Sequence, residues 1–340
     1  MKQSKKTLQS LQMTKKTEDI FQKTKSGTRQ GLIKGWKGLL WLLKIIIPIS
    51  FVTSLLVHFG VIYKLDFLLT PVMTWMSLPP SAALVLIVGL FTGPYGAVAA
   101  LWAMPFSMEH MTLIAIFILI AHNLIQESIV QGNSGINVFF AAFFRLFMAL
   151  AVTLVCAKIM GVNSDTGVTT GMGNFSRETQ PFLTMVIFWG WGTFKLIIQI
   201  FCIIMPLMVG LELAKIFNLI TYITKIISPF LSVMGLDRST GMLWLTATIF
   251  GLAYGSAVIV EETQSNEYKK EDLTKLHLSI GVNHGVIEDP ALFIPLGLPL
   301  LWLWVPRLIA AIIAAWMYHV FLSARRFYAK RADHKKLCNH

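Results

Sequence analysis

The chain consists of apolar runs separated by short polar segments, and most of the runs are long enough to span a membrane. A helix of about 20 apolar residues crosses the roughly 30 Å hydrocarbon core of a bilayer. The pattern therefore predicts an all-α, polytopic membrane helical bundle with about eight to ten membrane segments, including short or broken helices. The apolar runs lie at about residues 39–62, 65–78, 82–104, 111–128, 138–160, 182–214, 217–234, 240–260, 275–289 and 298–322.

The first five runs and the last five have the same order and similar lengths, and each set has a short second member that contains proline. Residue types that are rare inside the runs also align between the two sets. The aligned pairs are Pro48 with Pro206, Pro71 with Pro229, Tyr95 with Tyr254, Glu127 with Glu288 and Arg145 with Arg307. The offset between partners grows by only about four residues along the alignment, as an old duplication with loop insertions would produce.

This repetition divides the chain into five parts. Residues 37–160 and 190–322 form the two predicted repeats, and residues 161–189 form a polar linker and the entry to the second repeat. Residues 1–36 and 323–340 are basic tails. We expect the first tail to be disordered, because it has little apolar content and no clear period.

The net charge of +12 is concentrated in the two tails, although only 14% of all residues are charged. The positive-inside rule places both tails in the cytoplasm, against anionic lipid headgroups. Residues 161–180 contain a single basic residue, which places this segment outside. Each repeat then crosses an odd number of times, so the repeats are inverted. No recognition fold accompanies the basic tails, and we expect no nucleic-acid partner.

Two arginines, Arg145 and Arg307, lie inside apolar runs. A charge at a helix centre costs about 2.5–3.5 kcal/mol on insertion scales, so such a side chain usually faces a partner or a cavity. The sequence offers Glu127 to Arg145 and Glu288 to Arg307, each at the end of the preceding helix. These ion pairs either fix helix packing or line a solute path, and both interpretations stay open.

Further polar residues accompany the two glutamates. In the motifs His122-Asn123-x-x-x-Glu127 and Asn283-His284-x-x-x-Glu288-Asp289, helical spacing of four residues places an amide or imidazole beside a carboxylate. This combination suits a polar solute, a cation or a proton relay, and it equally suits hydrogen bonds between helices. A single histidine–carboxylate pair in each repeat is a weak metal signal, and we predict no fixed metal site. The candidate solute-binding residues here are Asn123, Glu127, Asn283, His284 and Glu288.

Small residues interrupt the third run of each set. These are Gly93-Pro94-Tyr95-Gly96 in the first repeat and Tyr254-Gly255 in the second. Glycine and proline allow a membrane helix to unwind, and transporters place substrate sites at such broken helices. Tyr95, Gly96, Tyr254 and Gly255 are therefore further candidate solute-binding residues, with close helix packing as the alternative interpretation.

Enzyme signatures are absent from the sequence. It contains no GxxxxGK[ST], HExxH or GxSxG motif, and its three cysteines include no CxxC pair. We expect a protein that is not an enzyme and carries no cofactor.

The segments GLAYGSAVIVEE (251–262), GVNHGVIEDPALFIPLG (281–297) and WVPRL (304–308) resemble the nucleoside recognition domain, also called the Gate domain, of bacterial membrane proteins. The first repeat resembles a degenerate copy, with HNLIQE where the second has NHGVIE. That family includes the spore maturation proteins A and B and the membrane half of bacterial ferrous iron transporters. The resemblance implies a pore or gate role and a relation to nucleoside transport.

These observations lead to one functional expectation and one alternative. We expect a transporter or permease-like protein for a small polar solute, with a nucleoside and a divalent cation as the candidate solutes. The alternative is a non-transporting membrane scaffold or assembly partner of the spore-maturation type. The expected partners are the lipid bilayer, the solute and either a second copy of the chain or another membrane protein.

Overall fold

The computed structural model describes residues 2–61, 66–162, 181–217, 240–249 and 268–337, together with a few further positions between 219 and 262. Every regular element within these residues is a helix. The α-helices are α1 (Lys2–His58), α2 (Asp66–Trp75), α3 (Ala82–Trp102), α4 (Met108–Ala121), α5 (Leu124–Asn133), α6 (Val138–Met160), α7 (Phe182–Ile216), α8 (Thr240–Ile249), α9 (Lys270–Val282), α10 (Glu288–Ala291) and α11 (Leu300–Leu337). A 3₁₀ turn, Ile294–Leu296, precedes α11.

Five helical segments in the described part are long and apolar enough to cross a membrane: Ala82–Trp102, Met108–Asn133, Val138–Met160, Phe182–Ile216 and Leu300–Leu322. Their outer faces carry large exposed apolar side chains, such as Phe139 with 84% of its surface exposed. Side chains of this kind are stable against lipid, whereas a soluble protein rarely exposes a wide apolar surface. The prediction of a polytopic helical membrane bundle is confirmed. The total of eight to ten segments stays a prediction.

The centre of the bundle is α4, in which every residue from His110 to Ala121 is buried. This helix is apolar around its whole circumference, and such a helix is stable only when neighbours enclose it. It packs against α3, α6, α9 and α11. Small residues in α3 permit a close approach, because a Cβ atom at Gly89 would meet the side chain of Ile118. The end of α4 is therefore held at the middle of the molecule.

The first helix differs from our expectation, because residues 2–36 continue into α1 and do not form a separate disordered tail. Three glycines four residues apart, Gly27, Gly31 and Gly35, are buried against α7. A Cβ atom at Gly31 would lie 2.5 Å from the Cα atom of Val209, so the two backbones are in direct contact. Small residues at this spacing permit close helix packing. The sequence alone did not indicate this packing role, because Val209, the partner of Gly31, lies 178 residues later in the chain.

The pair of α1 and α7 is antiparallel along most of its length. At one end, Lys34 Nζ lies 2.7 Å from Glu212 Oε1. Towards the other end, Trp189 Nε1 donates a hydrogen bond of 3.1 Å to Ser50 Oγ. The first long helices of the two predicted repeats thus lie side by side in opposite directions.

Three helices are interrupted near the centre of the bundle, and the interruption in α3 is the one that the sequence predicted for the first repeat. In α3, Gly93 has φ 81° and ψ −172°, a backbone conformation that favours glycine. Between α4 and α5, Asn123 adopts a left-handed conformation with φ 45°. After α9 the chain leaves the helix at Asn283, and Gly285 has φ 56°. The breaks in α3 and α4–α5 face each other, since a Cβ at Gly93 would lie 2.7 Å from Asn123 Nδ2.

Candidate functional site

Two buried histidines, His122 and His284, lie at the breaks that follow α4 and α9. Each ring is held in the same way by the preceding helix. His122 Nδ1 lies 3.0 Å from the carbonyl oxygen of Ile118, and His284 Nδ1 lies 2.8 Å from that of Ile280. The other ring nitrogens point at each other, with an Nε2–Nε2 distance of 3.3 Å.

The two arginines bind the ends of these same helices. Arg145 Nη2 donates to the carbonyl oxygen of His122 at 2.9 Å, and Arg145 Nε donates to that of Ile120 at 3.1 Å. Arg307 Nη2 donates to the carbonyl oxygen of His284 at 2.6 Å. The last carbonyls of a helix lack partners within it and carry partial negative charge, so a guanidinium group stabilises them. Each buried arginine therefore caps a helix that ends inside the bundle.

Glu127 links the first arginine to both histidines. Its Oε2 atom lies 2.6 Å from Arg145 Nη2 and 3.1 Å from His284 Nε2, while its Oε1 atom lies 3.2 Å from His122 Nε2. The structure thus brings Glu127 and Arg145 together, the partners that we proposed from the sequence. It also adds a histidine from the second repeat, which the sequence motifs alone did not join to them.

The second proposed pair, Arg307 with Glu288, is not among the ion pairs of the described residues. Glu288 Oε1 instead accepts a hydrogen bond of 2.8 Å from Tyr95 Oη. Asp289 takes the position near the histidines, with Oδ2 3.7 Å from His122 Nε2. The structural equivalence of His122 with His284 aligns Asp289, not Glu288, with Glu127. Our sequence alignment, which matched Glu127 with Glu288, was one residue out of register. Asp289 therefore replaces Glu288 as the counterpart of Glu127.

The remaining predicted residues have four different placements. Asn283 is buried at the end of α9, where its carbonyl oxygen accepts a bond of 3.3 Å from Thr248 Oγ1. Asn123 packs against the break at Gly93. Gly96 is buried in α3, where an added Cβ would lie 3.1 Å from Ile49 Cδ1, so it faces a neighbouring helix. Tyr254 and Gly255 lie outside the described residues.

The helical spacing that we used for these motifs does not hold in either repeat. His284 and Glu288 lie on opposite sides of the irregular stretch between α9 and α10, so they do not share one helix face. Asn123 precedes α5 and is not inside it, although its carbonyl oxygen still accepts from the amide of Glu127 at 2.9 Å. The breaks, and not helix periodicity, bring the polar groups together.

Comparison with known proteins places half of this cluster in a recognised domain. The family model described as Gate, nucleoside recognition, matches residues 39–163. The resemblance to the Gate family is thereby confirmed for the first repeat, which includes His122, Glu127 and Arg145. The membrane protein YvoD of Bacillus subtilis (strain 168), described as uncharacterized, is 27% identical over 283 residues, which cover 83% of this chain and 91% of that relative. No solved structure matches the chain.

Residues 39–163, the Gate segment, supply only part of the cluster, and sequence reasoning missed two of its members. His122 and Asp289 were visible in the motifs but were not selected as candidates. Together with His284, they offer three donor atoms that lie within 4.8 Å of one another. The signal that identifies them is the predicted repeat, because His122 and His284 follow the ends of corresponding helices, α4 and α9.

A second buried contact joins the two halves away from the histidines. Gln131 Nε2 donates to the carbonyl oxygen of His277 at 2.8 Å, and His277 Nε2 lies 2.9 Å from the carbonyl oxygen of Ser134. All three residues are buried. These bonds join α9 to the Gate segment at a point away from the cluster.

Proposed function

We propose that this membrane protein moves a small polar solute across the bilayer and that the cluster around Glu127, His122 and His284 contacts the solute. A nucleoside and a divalent cation are the candidate solutes. The observation that carries the proposal is the concentration of ionisable side chains at the broken helix ends. Ionisable groups within membrane segments are costly and mark solute or proton paths in many transporters.

The position of the cluster between the two halves supports the same proposal. Glu127 and His122 come from the first repeat, whereas His284 and Asp289 come from the second. In transporters with inverted repeats, the solute binds near the bilayer midplane at the repeat interface, and rocking of one repeat against the other gives alternating access. Separation of the two halves would open this cluster, since the contacts of His284 with Glu127 at 3.1 Å and with His122 at 3.3 Å cross between them.

The test is a flux measurement with purified protein in liposomes. We expect uptake of a radiolabelled nucleoside or of a divalent cation, and a loss of at least about tenfold in the initial rate when Glu127→Gln and Glu288→Gln are combined. The matched control is Glu109→Gln, because Glu109 is exposed in the first turn of α4, away from the cluster. Folded protein that carries neither class of solute would contradict the proposal.

The alternative function is a non-transporting scaffold. The bonds from Arg145 and Arg307 to backbone carbonyls favour it, because they give both arginines a role in holding helix ends that needs no solute. A stoichiometric membrane partner recovered after mild crosslinking, together with no flux, would support this alternative. In either case we propose that the protein is not an enzyme.

We propose that both termini lie in the cytoplasm of a bacterial inner membrane, because both are basic. A reporter that fluoresces only in the cytoplasm, fused after His340, tests the orientation of the C-terminus. A phosphatase reporter that is active only outside the inner membrane is the complementary test, and it should stay inactive at the same position.

A further inference from the structure

The hydrogen bonds of the two histidines determine which ring nitrogens carry protons. A carbonyl oxygen can only accept, so the Nδ1 atoms that face Ile118 and Ile280 must donate. In a neutral imidazole the other nitrogen, Nε2, then has a free lone pair. The Nε2 atoms of His122 and His284 are 3.3 Å apart, so two lone pairs point into the same small volume.

Carboxylate oxygens surround the same volume. Both oxygens of Glu127 lie within 3.2 Å of an Nε2 atom, and Asp289 Oδ2 lies 3.7 Å from His122 Nε2. The guanidinium Nη2 atom of Arg145 lies 2.6 Å from Glu127 Oε2, so Arg145 compensates the negative charge of Glu127. Asp289 Oδ2 is buried without a hydrogen-bond donor, and no lysine or arginine of the described residues lies within ion-pair distance of Asp289. The two Nε2 atoms and the unbonded oxygen of Asp289 therefore converge on one small volume, an arrangement that favours a bound cation.

We propose that His122, His284 and Asp289 bind a divalent transition-metal ion of the Zn²⁺ type. Two nitrogens bound tetrahedrally at about 2.0–2.1 Å are about 3.3 Å apart, which is the observed Nε2–Nε2 separation. The Nδ1–carbonyl bonds are the outer contacts that normally orient metal-binding histidines. Imidazole ligands favour Zn²⁺, Co²⁺ or Fe²⁺ over Mg²⁺ and Ca²⁺, which prefer sites made of oxygen atoms alone.

Three protein ligands leave a further coordination position for water or for an exchanging ligand. Sites with all four positions occupied by protein are structural, whereas sites with an open position permit exchange. The ligands also come from both repeats, so movement of the halves apart would separate His122 from His284. This inference deepens the proposed function, because it identifies the solute class as a divalent transition metal, but the binding itself does not depend on transport.

Binding is measured on the purified full chain in detergent after treatment with a chelator. We expect Co²⁺ to bind with a stoichiometry of one per chain and to produce the visible absorption bands of a low-coordinate cobalt site, and Zn²⁺ to displace it. X-ray absorption of the Zn²⁺-loaded wild type should show two imidazole ligands at about 2.0 Å. This second readout needs no variant, so it stays informative if a substitution prevents folding.

Two conservative variants test the assignment of ligands. Asp289→Asn and His284→Gln should each weaken the affinity for Zn²⁺ by about 100-fold or more, since even residues that only orient a ligand change affinity by 10–100-fold. The matched control is His277→Gln, another buried histidine, which binds the Ser134 carbonyl and lies outside the cluster. Its affinity for Zn²⁺ should equal that of the wild type.

The possible results separate this inference from the transport proposal. The metal site is overturned if folded wild-type protein binds neither Co²⁺ nor Zn²⁺, or if both substitutions leave the affinity for these ions unchanged. A shared proton is then left as the occupant. Metal binding without metal flux in liposomes keeps the site and contradicts transport of the metal. Flux of a nucleoside without metal binding overturns the site and keeps transport.

Discussion

The guanidinium Nη2 atom of Arg307 lies 2.6 Å from the carbonyl oxygen of His284, at the point where α9 ends inside the bundle. Arg145 holds the carbonyl oxygen of His122 at 2.9 Å in the same manner. A membrane helix that ends in the interior needs donors for its last carbonyls, because no water replaces them. The two arginines therefore make the broken helices possible, and the broken helices bring the histidines together.

The two arginines should contribute unequally to stability. Arg145→Met removes a contact of 2.6 Å to Glu127, whose side chain is 13% exposed, and should cost about 3–5 kcal/mol, because the glutamate is left without its charge partner. Arg307→Met removes chiefly a hydrogen bond to a carbonyl, and about 1–3 kcal/mol is expected. Unfolding by heat or denaturant in detergent compares the two variants. A larger loss for Arg307→Met would show that its charge has a partner that we have not identified.

The packing of α1 on α7 should depend on the absence of a side chain at Gly31. Gly31→Ala places a Cβ 2.5 Å from the Cα of Val209, so the helices must move apart, at a cost of about 1–3 kcal/mol. Gly38→Ala on the same helix is the control, since the structure has no atom within 4 Å of the added Cβ. Thermal unfolding of the two variants gives the comparison. Equal midpoints would mean that residues 27–35 do not pack on α7 in the membrane.

The break in α3 should tolerate no side chain at Gly93. An alanine there is strained at φ 81°, and its Cβ would meet the amide of Asn123 at 2.7 Å. We expect Gly93→Ala to lower stability by about 1–3 kcal/mol and to reduce any measured flux. Gly190→Ala, which meets nothing within 4 Å, should leave both quantities unchanged. A fully stable and active Gly93→Ala protein would show that α3 is continuous.

The hydrogen bond from Tyr95 to Glu288 joins the Gate segment to the second half of the chain. A double-mutant cycle of Tyr95→Phe with Glu288→Gln measures its strength, and we expect a coupling energy between about 0.5 and 3 kcal/mol. Tyr318→Phe with Glu288→Gln is the control cycle and should be additive. A coupling near zero in the first cycle would remove Glu288 from the interface between the halves.

Local features of the sequence were sufficient for the class of fold. The length and apolarity of the runs around Ala82–Trp102 and Val138–Met160 predict membrane helices, because a bilayer requires each span to satisfy its own backbone. The Gly93-Pro94 pair likewise predicts the break in α3, since both residues disfavour a continuous helix. The Gate resemblance rested on short motifs of the same local kind.

Tertiary structure alone determined which polar groups meet. Side chains on either side of a helix break no longer follow helical periodicity, so a shift of one residue decides whether Glu288 or Asp289 approaches the histidines. The contact of His122 with His284 joins residues 162 positions apart, and no local pattern encodes their separation. The same holds for Gly31 and Val209, because a glycine has a role in close packing only where another helix contacts it.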